Sequence, residues 1–498
     1  MRKHVSSAVL TAAFAAGVMG APAPAQAANW LVLTSAEGEE DPPGLAMFGF
    51  MQPTYRQIDD SDKPDLAGTP LADKAPDGNR PIFNTLSPDR STSQGFNLFR
   101  ARIGARGALH AANDDINYFF LAEFGDNGIT RLADPGNDSV SPQLTDASIT
   151  LRHFAGGGSD DMWEPGVSLR LGQFQWPLVD EGLRGIMAYD YINFSEVTRQ
   201  QVLERYVRHG TPPDPDPSTE VNEAVGTDAD LRAFDGAISS FRDIGAMAFD
   251  EIRLSDKWEA TWAAGLGNGN GINRTDNDDN MDLYLRAQTA YVFDGVKRGG
   301  PRREDLKLFA WAQMGDRQFD QDGDGIYTGG ETYERNRYGV GFHFYRQPYR
   351  LSGEFVWGNG MVYNGTTPPV TDPSTENQNI GDVTPLMAAD EDNEFYGYYV
   401  EGAYFPVPNK FAVQARYDVL DRLSATGSEY DSSNERVFET VTLGLQYWNH
   451  PVKSQWQLNY RIRNLDAPHN PGAETAGDAM GNEIGLQYFV LFNGVVAR

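Results

Sequence analysis

The sequence has no cysteine, no long apolar run beyond its N-terminus and few basic residues. Without cysteine, no disulfide can stabilise the fold. After the N-terminal segment, no stretch approaches the roughly 20 apolar residues that a membrane-spanning helix needs, which excludes a helical membrane protein. With 70 acidic and 41 basic residues, the formal charge is −29. A chain this acidic repels nucleic acid, so DNA and RNA are excluded as partners.

The N-terminal segment predicts export from the cytoplasm. A short basic start precedes a mainly apolar stretch over 5–19, and 25–27 reads Ala-Gln-Ala, the small-x-small pattern of a cleavage site. We therefore expect a signal peptide over 1–27, followed by a short periplasmic segment over 28–44. An N-terminal membrane anchor is the alternative, but the apolar stretch is too short and too rich in small residues to span a bilayer well.

The rest of the chain repeats alternating segments of about ten residues, the length of a tilted strand that crosses a bilayer. In 454–465, for example, Trp456, Leu458, Tyr460 and Ile462 alternate with glutamine, asparagine and arginine. Because strand side chains point alternately to the two faces, one face can contact lipid while the other contacts water. This pattern is typical of a transmembrane β-barrel.

Sixteen such segments occur, and an even number is typical of bacterial outer-membrane barrels. They lie at 45–56, 96–110, 115–125, 142–154, 166–176, 240–250, 257–267, 281–293, 305–317, 335–346, 349–360, 394–405, 410–421, 435–449, 454–465 and 481–492. The connections are alternately long and short, as external loops and periplasmic turns are. We predict an all-β fold, a closed antiparallel transmembrane β-barrel over 45–498. A soluble β-sandwich or propeller is the alternative, although neither has a reason to keep this alternation.

Short pieces of the chain resemble the phosphate-selective porin O/P family of Gram-negative outer-membrane porins. The matching pieces are Leu-Phe-Arg-Ala-Arg-Ile-Gly at 98–104, Leu-Gly-Gln-Phe at 171–174 with Pro177 and Glu181, Arg-Asp-Ile-Gly at 242–245, the glycine- and asparagine-rich 265–273, and Ala-Arg-Tyr-Asp at 415–418. Their order along one chain covers most of the mature protein. The resemblance implies a sixteen-stranded porin that is usually a trimer.

The resemblance also implies an anion pathway lined by arginines. Arg100, Arg102 and Arg106 match the family's arginine-rich strand and oppose an apolar face over 96–110 that includes Phe99. Guanidinium groups stay charged and pair well with oxyanions, and a row of them favours anions in a pore. Further candidates for the lumen face are Arg152, Arg170, Arg286, Arg416, Arg461 and Arg463. The alternative is that these arginines pair with lumen acids such as Asp146, Asp282 and Asp418 and only stabilise the wall.

The longest connection, 177–239, follows the fifth segment. In sixteen-stranded porins the loop at this place commonly folds inward, so we expect a constriction loop here. The residues that would meet permeating solutes are Arg184, Arg199, Arg205 and Arg208, with Tyr189 and Tyr191 as walls. A loop that caps the outside or packs against a trimer neighbour is the alternative. Phosphate-specific family members use lysine clusters, and this connection has no lysine, which leaves phosphate or another oxyanion open.

One predicted external loop carries a calcium-binding pattern. Residues 320–331 fit D-x-D-x-D-G-x5-E, with Asp320, Asp322, Asp324 and Glu331 at the ligand positions. Predicted strands flank the loop, which excludes an EF-hand domain. The sequence predicts an external Ca²⁺ site, with a merely acidic loop as the alternative.

The sequence thus predicts an outer-membrane porin that passes small solutes by diffusion and prefers anions. We expect a homotrimer in contact with outer-membrane lipid and lipopolysaccharide, with no required cofactor. An enzyme is not expected, since no G-x-S-x-G follows a predicted strand and H-E-x-x-H is absent. The rivals are a general non-selective porin, a non-conducting structural or adhesin barrel, and an enzymatic barrel. Acidic loops such as 361–393 oppose the approach of anions.

Overall fold

The computed structural model describes most of the chain after the N-terminal region. It covers residues 44–58, 94–110, 113–127, 130, 142–156, 166–185, 189–203, 206–207, 236–237, 241–273, 276, 279–295, 303–318, 332–365, 386–388, 390–427, 432–451, 453–471, 474 and 481–497. The predicted signal peptide, the calcium pattern, Arg205 and Arg208 lie outside these residues. Within them, no helix has the length and apolar character needed to cross a membrane.

Sixteen long strands form the molecule, one for each segment that the sequence predicts. They are β1 (Leu45–Ile58), β2 (Gln94–Leu109), β3 (Asn113–Glu123), β4 (Gln143–Ala155), β5 (Val167–Gln175), β6 (Arg242–Arg253), β7 (Trp258–Gly267), β8 (Asp282–Val292), β9 (Asp305–Met314), β10 (Thr332–Arg346), β11 (Tyr349–Gly360), β12 (Glu394–Val407), β13 (Phe411–Ala425), β14 (Arg436–His450), β15 (Ser454–Asp466) and β16 (Glu483–Ala497).

Each strand pairs with its neighbour in the chain in antiparallel register, and the first strand closes the sheet against the last. The closing pair runs from Leu45 opposite Ala497 to Ile58 opposite Glu483. A closed sheet leaves no edge with unpaired backbone groups, which is the condition for a β-structure in a bilayer. The prediction of a sixteen-stranded antiparallel barrel is therefore confirmed.

Several short elements supplement the barrel. Strand Asp316–Gln318 extends the pairing of β9 with β10, Val362–Gly365 pairs with Leu386–Ala388, and Tyr206–Val207 pairs with Gly236–Ala237. Helix α1 covers Asp180–Leu183, a π-helical turn covers Thr198–Val202, and a 3₁₀ turn covers Ser432–Asn434. The helix and the π turn both belong to the connection between β5 and β6.

The two faces of the barrel differ in polarity. In β15 the four apolar residues named above are 36–44% exposed, whereas Gln457, Asn459 and Arg461 are at most 2% exposed. The apolar residues face outward and the polar residues face inward, since the sheet is closed and its side chains alternate. An apolar outer surface and a polar interior suit a lipid bilayer. The protein spans an outer membrane, with the long loops outside and the short turns in the periplasm.

The alternation rule is wrong at Phe99. It places Phe99 on the outer face, but this side chain is only 6% exposed. The register between β1 and β2 shifts at this point, because Gln52 pairs with Arg100 and Pro53 pairs with Leu98. The residue between the two pairs is an extra one, and such a bulge redirects its side chain.

Candidate permeation pathway and its inserted segment

The chain between β5 and β6 enters the barrel and lies against its inner wall. We call residues 176–203 the inserted segment; 176–185 and 189–203 are described. Its first residue, Trp176, is fully buried and stacks on Tyr284 of β8, with ring centroids 4.0 Å apart and planes at 5°. This stack fixes the start of the segment to the wall.

An apolar cluster inside the barrel holds the segment further along. Leu178, Val179, Val197 and Val202 of the segment have no exposed surface. They belong to one cluster with inward-facing wall residues, namely Phe309, Trp311, Val356, Phe395, Leu420, Phe438 and Leu465. The burial of these side chains favours docking, because each large apolar side chain removed from water contributes roughly 1.5–3 kcal/mol.

The described acids of the segment all bind wall arginines. Asp180 lies 3.7 Å from Arg286, and Glu181 accepts a hydrogen bond from Arg416 at 2.8 Å. Asp190 pairs with Arg350. Glu196 accepts a hydrogen bond from Arg461 at 2.6 Å. The negative charge of the segment is therefore compensated by the wall on which it lies.

Backbone groups of the segment are bonded to the same wall. The amide of Asp180 donates to Glu354 at 3.0 Å, that of Ile192 donates to Asn459 at 2.7 Å, and that of Glu196 donates to Asp418 at 2.9 Å. These contacts fall on β11, β13 and β15. Buried backbone amides need such partners, so the polar side chains of the wall specify where the segment lies.

The local charges shift the ionisation of three acids of the segment. Although burial opposes ionisation, Arg184 and Arg286 lower the pKa of Asp180 to about 2. Burial also opposes ionisation of Glu196, yet Arg199 and Arg461 lower its pKa far below the ordinary value. For Glu181, burial and the charge of Glu401 outweigh the guanidinium of Arg416 and raise the pKa.

Most arginines that the sequence assigns to the lumen face point inward and are paired. Besides Arg286, Arg416 and Arg461, Arg102 donates to Glu123 at 2.6 Å and Arg463 lies 3.7 Å from Glu483. Two of the acids that the sequence offers as partners for these arginines pair with other arginines instead. Asp146 pairs with Arg242, and Asp282 pairs with Arg317 and Arg335. These pairs stabilise the wall.

The segment's own arginines are paired as well. Arg184 donates to Asp180 at 3.1 Å and to Glu401, and Arg199 donates to Glu196 at 2.6 Å. Both side chains are about nine-tenths buried. The structure thus places these two arginines in ion pairs with neighbouring acids.

Arg100 has a different environment. It lies on β2, and its guanidinium donates to the neutral Gln52 at 3.1 Å. The same group lies 4.6 Å from the ring centroid of Phe99 and 5.7 Å from those of Tyr189 and Phe194, which belong to the inserted segment. Among the residues that the structure describes, no carboxylate forms an ion pair with Arg100.

The remaining candidates lie on β2, β4 and β5. Arg170 donates to Thr150 at 3.1 Å and lies over the ring of Phe249, 5.0 Å from its centroid. Arg106 and Arg152 are half-buried.

Sequence reasoning missed several inward arginines that hold the segment. Arg337 of β10 donates to the carbonyl of Gln201 at 3.0 Å, and Arg422 of β13 donates to Gln200 at 3.2 Å. Arg350 of β11 was also missed. The alternation within the predicted strands carried the necessary signal, since each of these residues shares a face with a buried polar neighbour on its strand.

No group of three or more metal-ligating side chains occurs in the part of the chain that the structure describes. The 320–331 pattern lies outside that part. No family model matches the sequence, and no curated protein matches it.

Three solved structures illustrate what the barrel resembles. OmpF of Salmonella typhi, in complex with daunomycin, is 12% identical, with 90% of this chain and 97% of that chain covered and a TM-score of 0.48. The anion-selective porin from Comamonas acidovorans is 12% identical over 90% of this chain and 99% of that one, with a TM-score of 0.45. The channel DcaP of Acinetobacter baumannii is 12% identical over 92% of this chain and 100% of that one, with a TM-score of 0.46. At such identities the similarity concerns barrel architecture alone.

Proposed function

We propose that the protein is an outer-membrane porin that passes small solutes by diffusion and prefers anions. The observation that carries the proposal is the pairing of the inserted segment with one wall. Its described acids are neutralised by wall arginines, while Arg100 of β2 lies beside Tyr189 of the segment and forms no ion pair with a described carboxylate. A sixteen-stranded barrel is wide enough for an aqueous path beside such a segment.

Electrostatics supports the anion preference. A guanidinium cannot lose its charge at physiological pH, and it binds oxyanions through its planar array of donors. Same-face neighbours such as Arg100 and Arg102 stand about 6.7 Å apart along a strand. This spacing is below the Debye length of about 8 Å at physiological salt, so their fields add. The charge of Arg102 is offset by Glu123, whereas Arg100 forms no ion pair with a described carboxylate.

The proposal covers phosphate and other small oxyanions without choosing among them. It includes a homotrimer, because the family that the sequence resembles is usually trimeric, and contact with outer-membrane lipid and lipopolysaccharide. A Ca²⁺ site at Asp320, Asp322, Asp324 and Glu331 remains a prediction from the sequence. Calcium titration of the purified barrel by calorimetry tests it, with Asp322→Ala as the control.

Planar-bilayer recording tests the main proposal. We expect stepwise conductance from the purified protein and, under a salt gradient, a reversal potential on the anion-selective side. Arg100→Gln should shift this potential toward cation selectivity, because it removes a charge and leaves no carboxylate unpaired. Arg253→Gln is the matched control, since Arg253 is the last residue of β6, beside a short turn, and pairs with the exposed Asp256.

The outcomes separate the alternatives. Silence in the bilayer would support a non-conducting structural or adhesin barrel. Conductance with no ion preference would identify a general porin. A reversal potential that Arg100→Gln leaves unchanged would assign the preference to other residues.

A further inference from the structure

Among the residues that the structure describes, exposed positive charge occurs at one end of the barrel. Each exposed lysine or arginine of the described residues lies at or beside a short turn: Arg253, Lys257, Arg346, Lys410 and Lys453. Exposed acids predominate at the opposite end: Asp279, Asp316, Glu334, Glu391, Asp392 and Glu394. At the short-turn end the exposed acids are Asp256, which pairs with Arg253, and Asp294, so a positive balance remains there.

Three of these cations lie against aromatic rings on the outer surface. The ammonium of Lys257 is 5.6 Å from the ring centroid of Tyr291. The guanidinium of Arg346 is 4.9 Å from that of Phe293. The ammonium of Lys410 is 4.7 Å from that of Tyr447. None of the three cations forms an ion pair within the described part of the chain, so each charge is available to a ligand.

The rings belong to an aromatic belt at the membrane boundary. Trp258 contacts Tyr291, Tyr291 contacts Phe293, and Phe293 contacts Phe344, with ring centroids 5.2–5.8 Å apart. Tyr349 stacks on Tyr404, and Trp456 packs on Tyr488. Aromatic residues of this kind lie at the level of the lipid headgroups. The three cations are therefore held at the depth of the lipid phosphates, with their alkyl stems along apolar surface.

We propose that Lys257, Arg346 and Lys410, with their belt aromatics, form a binding surface for anionic phospholipids of the periplasmic leaflet. The short turns face the periplasm, and that leaflet of an outer membrane consists of phospholipid, with phosphates at the depth of the belt. Within the described part of the chain, only this end of the barrel has a charge that complements lipid phosphates. The opposite end, which faces lipopolysaccharide, is acidic. The inference depends on the orientation of the barrel and is independent of which ions the pore prefers.

Spin-labelled lipids measure this binding directly. The protein is reconstituted in phosphatidylcholine vesicles with a trace of spin-labelled phosphatidylglycerol or phosphatidylcholine, and the motionally restricted fraction gives the relative association constant. Each basic residue near a membrane surface contributes a factor of about five in affinity for anionic lipid. We expect phosphatidylglycerol to be preferred by the wild type by at least about fivefold, and the preference to approach one when Lys257, Arg346 and Lys410 are all changed to Gln.

A variant of equal net charge provides the control. Lys63→Gln, Lys74→Gln and Arg253→Gln together remove three charges, two from the connection between β1 and β2 and one already paired with an acid. This variant should keep the wild-type preference. Salt gives a second measurement that needs no variant: at about 1 M, where the Debye length is about 3 Å, the wild-type preference should largely disappear.

Three results would each overturn the proposal. One is a wild-type protein that restricts both lipids equally at low salt. The second is a triple variant that is folded and retains the preference. The third is a control variant that loses the preference to the same extent, since net charge alone would then explain the binding.

Discussion

Glu196 of the inserted segment accepts a hydrogen bond from Arg461 of β15 at 2.6 Å, and both side chains are at least 98% buried. The other carboxylate oxygen accepts from Arg199 at 2.6 Å and from Gln200 at 2.9 Å. One carboxylate thus joins the π-helical turn of the segment to the barrel wall. The wall and the segment therefore form one polar network.

Glu196→Gln should destabilise the barrel, because it leaves Arg461 and Arg199 buried with less compensation. Removal of one partner from a buried ion pair costs about 3–5 kcal/mol. Urea unfolding in lipid vesicles measures the loss. Arg253→Gln, which removes an exposed pair, should change the free energy of unfolding by no more than about 1 kcal/mol. Equal small effects for both variants would contradict this role of Glu196.

The strands could be predicted from the sequence because each carries its own signal. In β15 every apolar residue used for the prediction faces outward, since period-two alternation depends only on residues within the strand. The partners of the inward arginines could not be predicted in the same way. Arg416 donates a hydrogen bond to Glu181, which lies 235 positions away in the sequence, and no local pattern predicts that contact.

The apolar lining of part of the lumen could not be predicted from the sequence either. Tyr284, Trp311 and Phe438 face inward and are buried, although an apolar residue in a barrel strand normally predicts contact with lipid. They are inside because Trp176 and its neighbours supply an apolar surface there. This apolar surface can be located only once the path of the inserted segment is known.

Docking of the inserted segment should survive mild acid. The lowered pKa of Asp180, about 2, and that of Glu196 mean that both carboxylates favour the docked state above their ordinary pKa values. This contribution is lost only as the pH falls through the lowered values. Glu181, whose pKa is raised, takes up a proton at a higher pH, and because the docked state favours the protonated form of this carboxyl, that step does not oppose docking.

We therefore expect near-ultraviolet circular dichroism and single-channel conductance to change little between pH 7 and about 4, and to change sharply near pH 2. Asp180→Asn serves as the comparison, because it removes one of the two groups with lowered pKa. A wild-type transition close to pH 6 would contradict the assignment.

Two glycines of β12 offer a test of the contact between the wall and the segment. A Cβ added at Gly397 would lie 2.6 Å from Cβ of Val197, whereas one at Gly402 would have no heavy atom closer than 3.8 Å. Gly397→Ala should displace the segment and alter the conductance, with a loss of stability of about 1–3 kcal/mol from overpacking. Gly402→Ala should behave as the wild type. Similar conductance for both variants would contradict the close contact.

Trp176 should set how firmly the base of the segment is held. Its indole N–H has no hydrogen-bond partner among the described residues, so its contribution comes from the stack on Tyr284 and from burial. Trp176→Ala should cost about 3–5 kcal/mol and enlarge the conductance, because the segment loses its first anchor. Trp176→Phe keeps a ring and loses no hydrogen bond, so its effect should be well under half as large. Trp456→Ala, at an outward position that is 42% exposed, should leave the conductance unchanged. If Trp176→Ala unfolds no more readily than Trp456→Ala and conducts as the wild type does, the stack does not hold the segment.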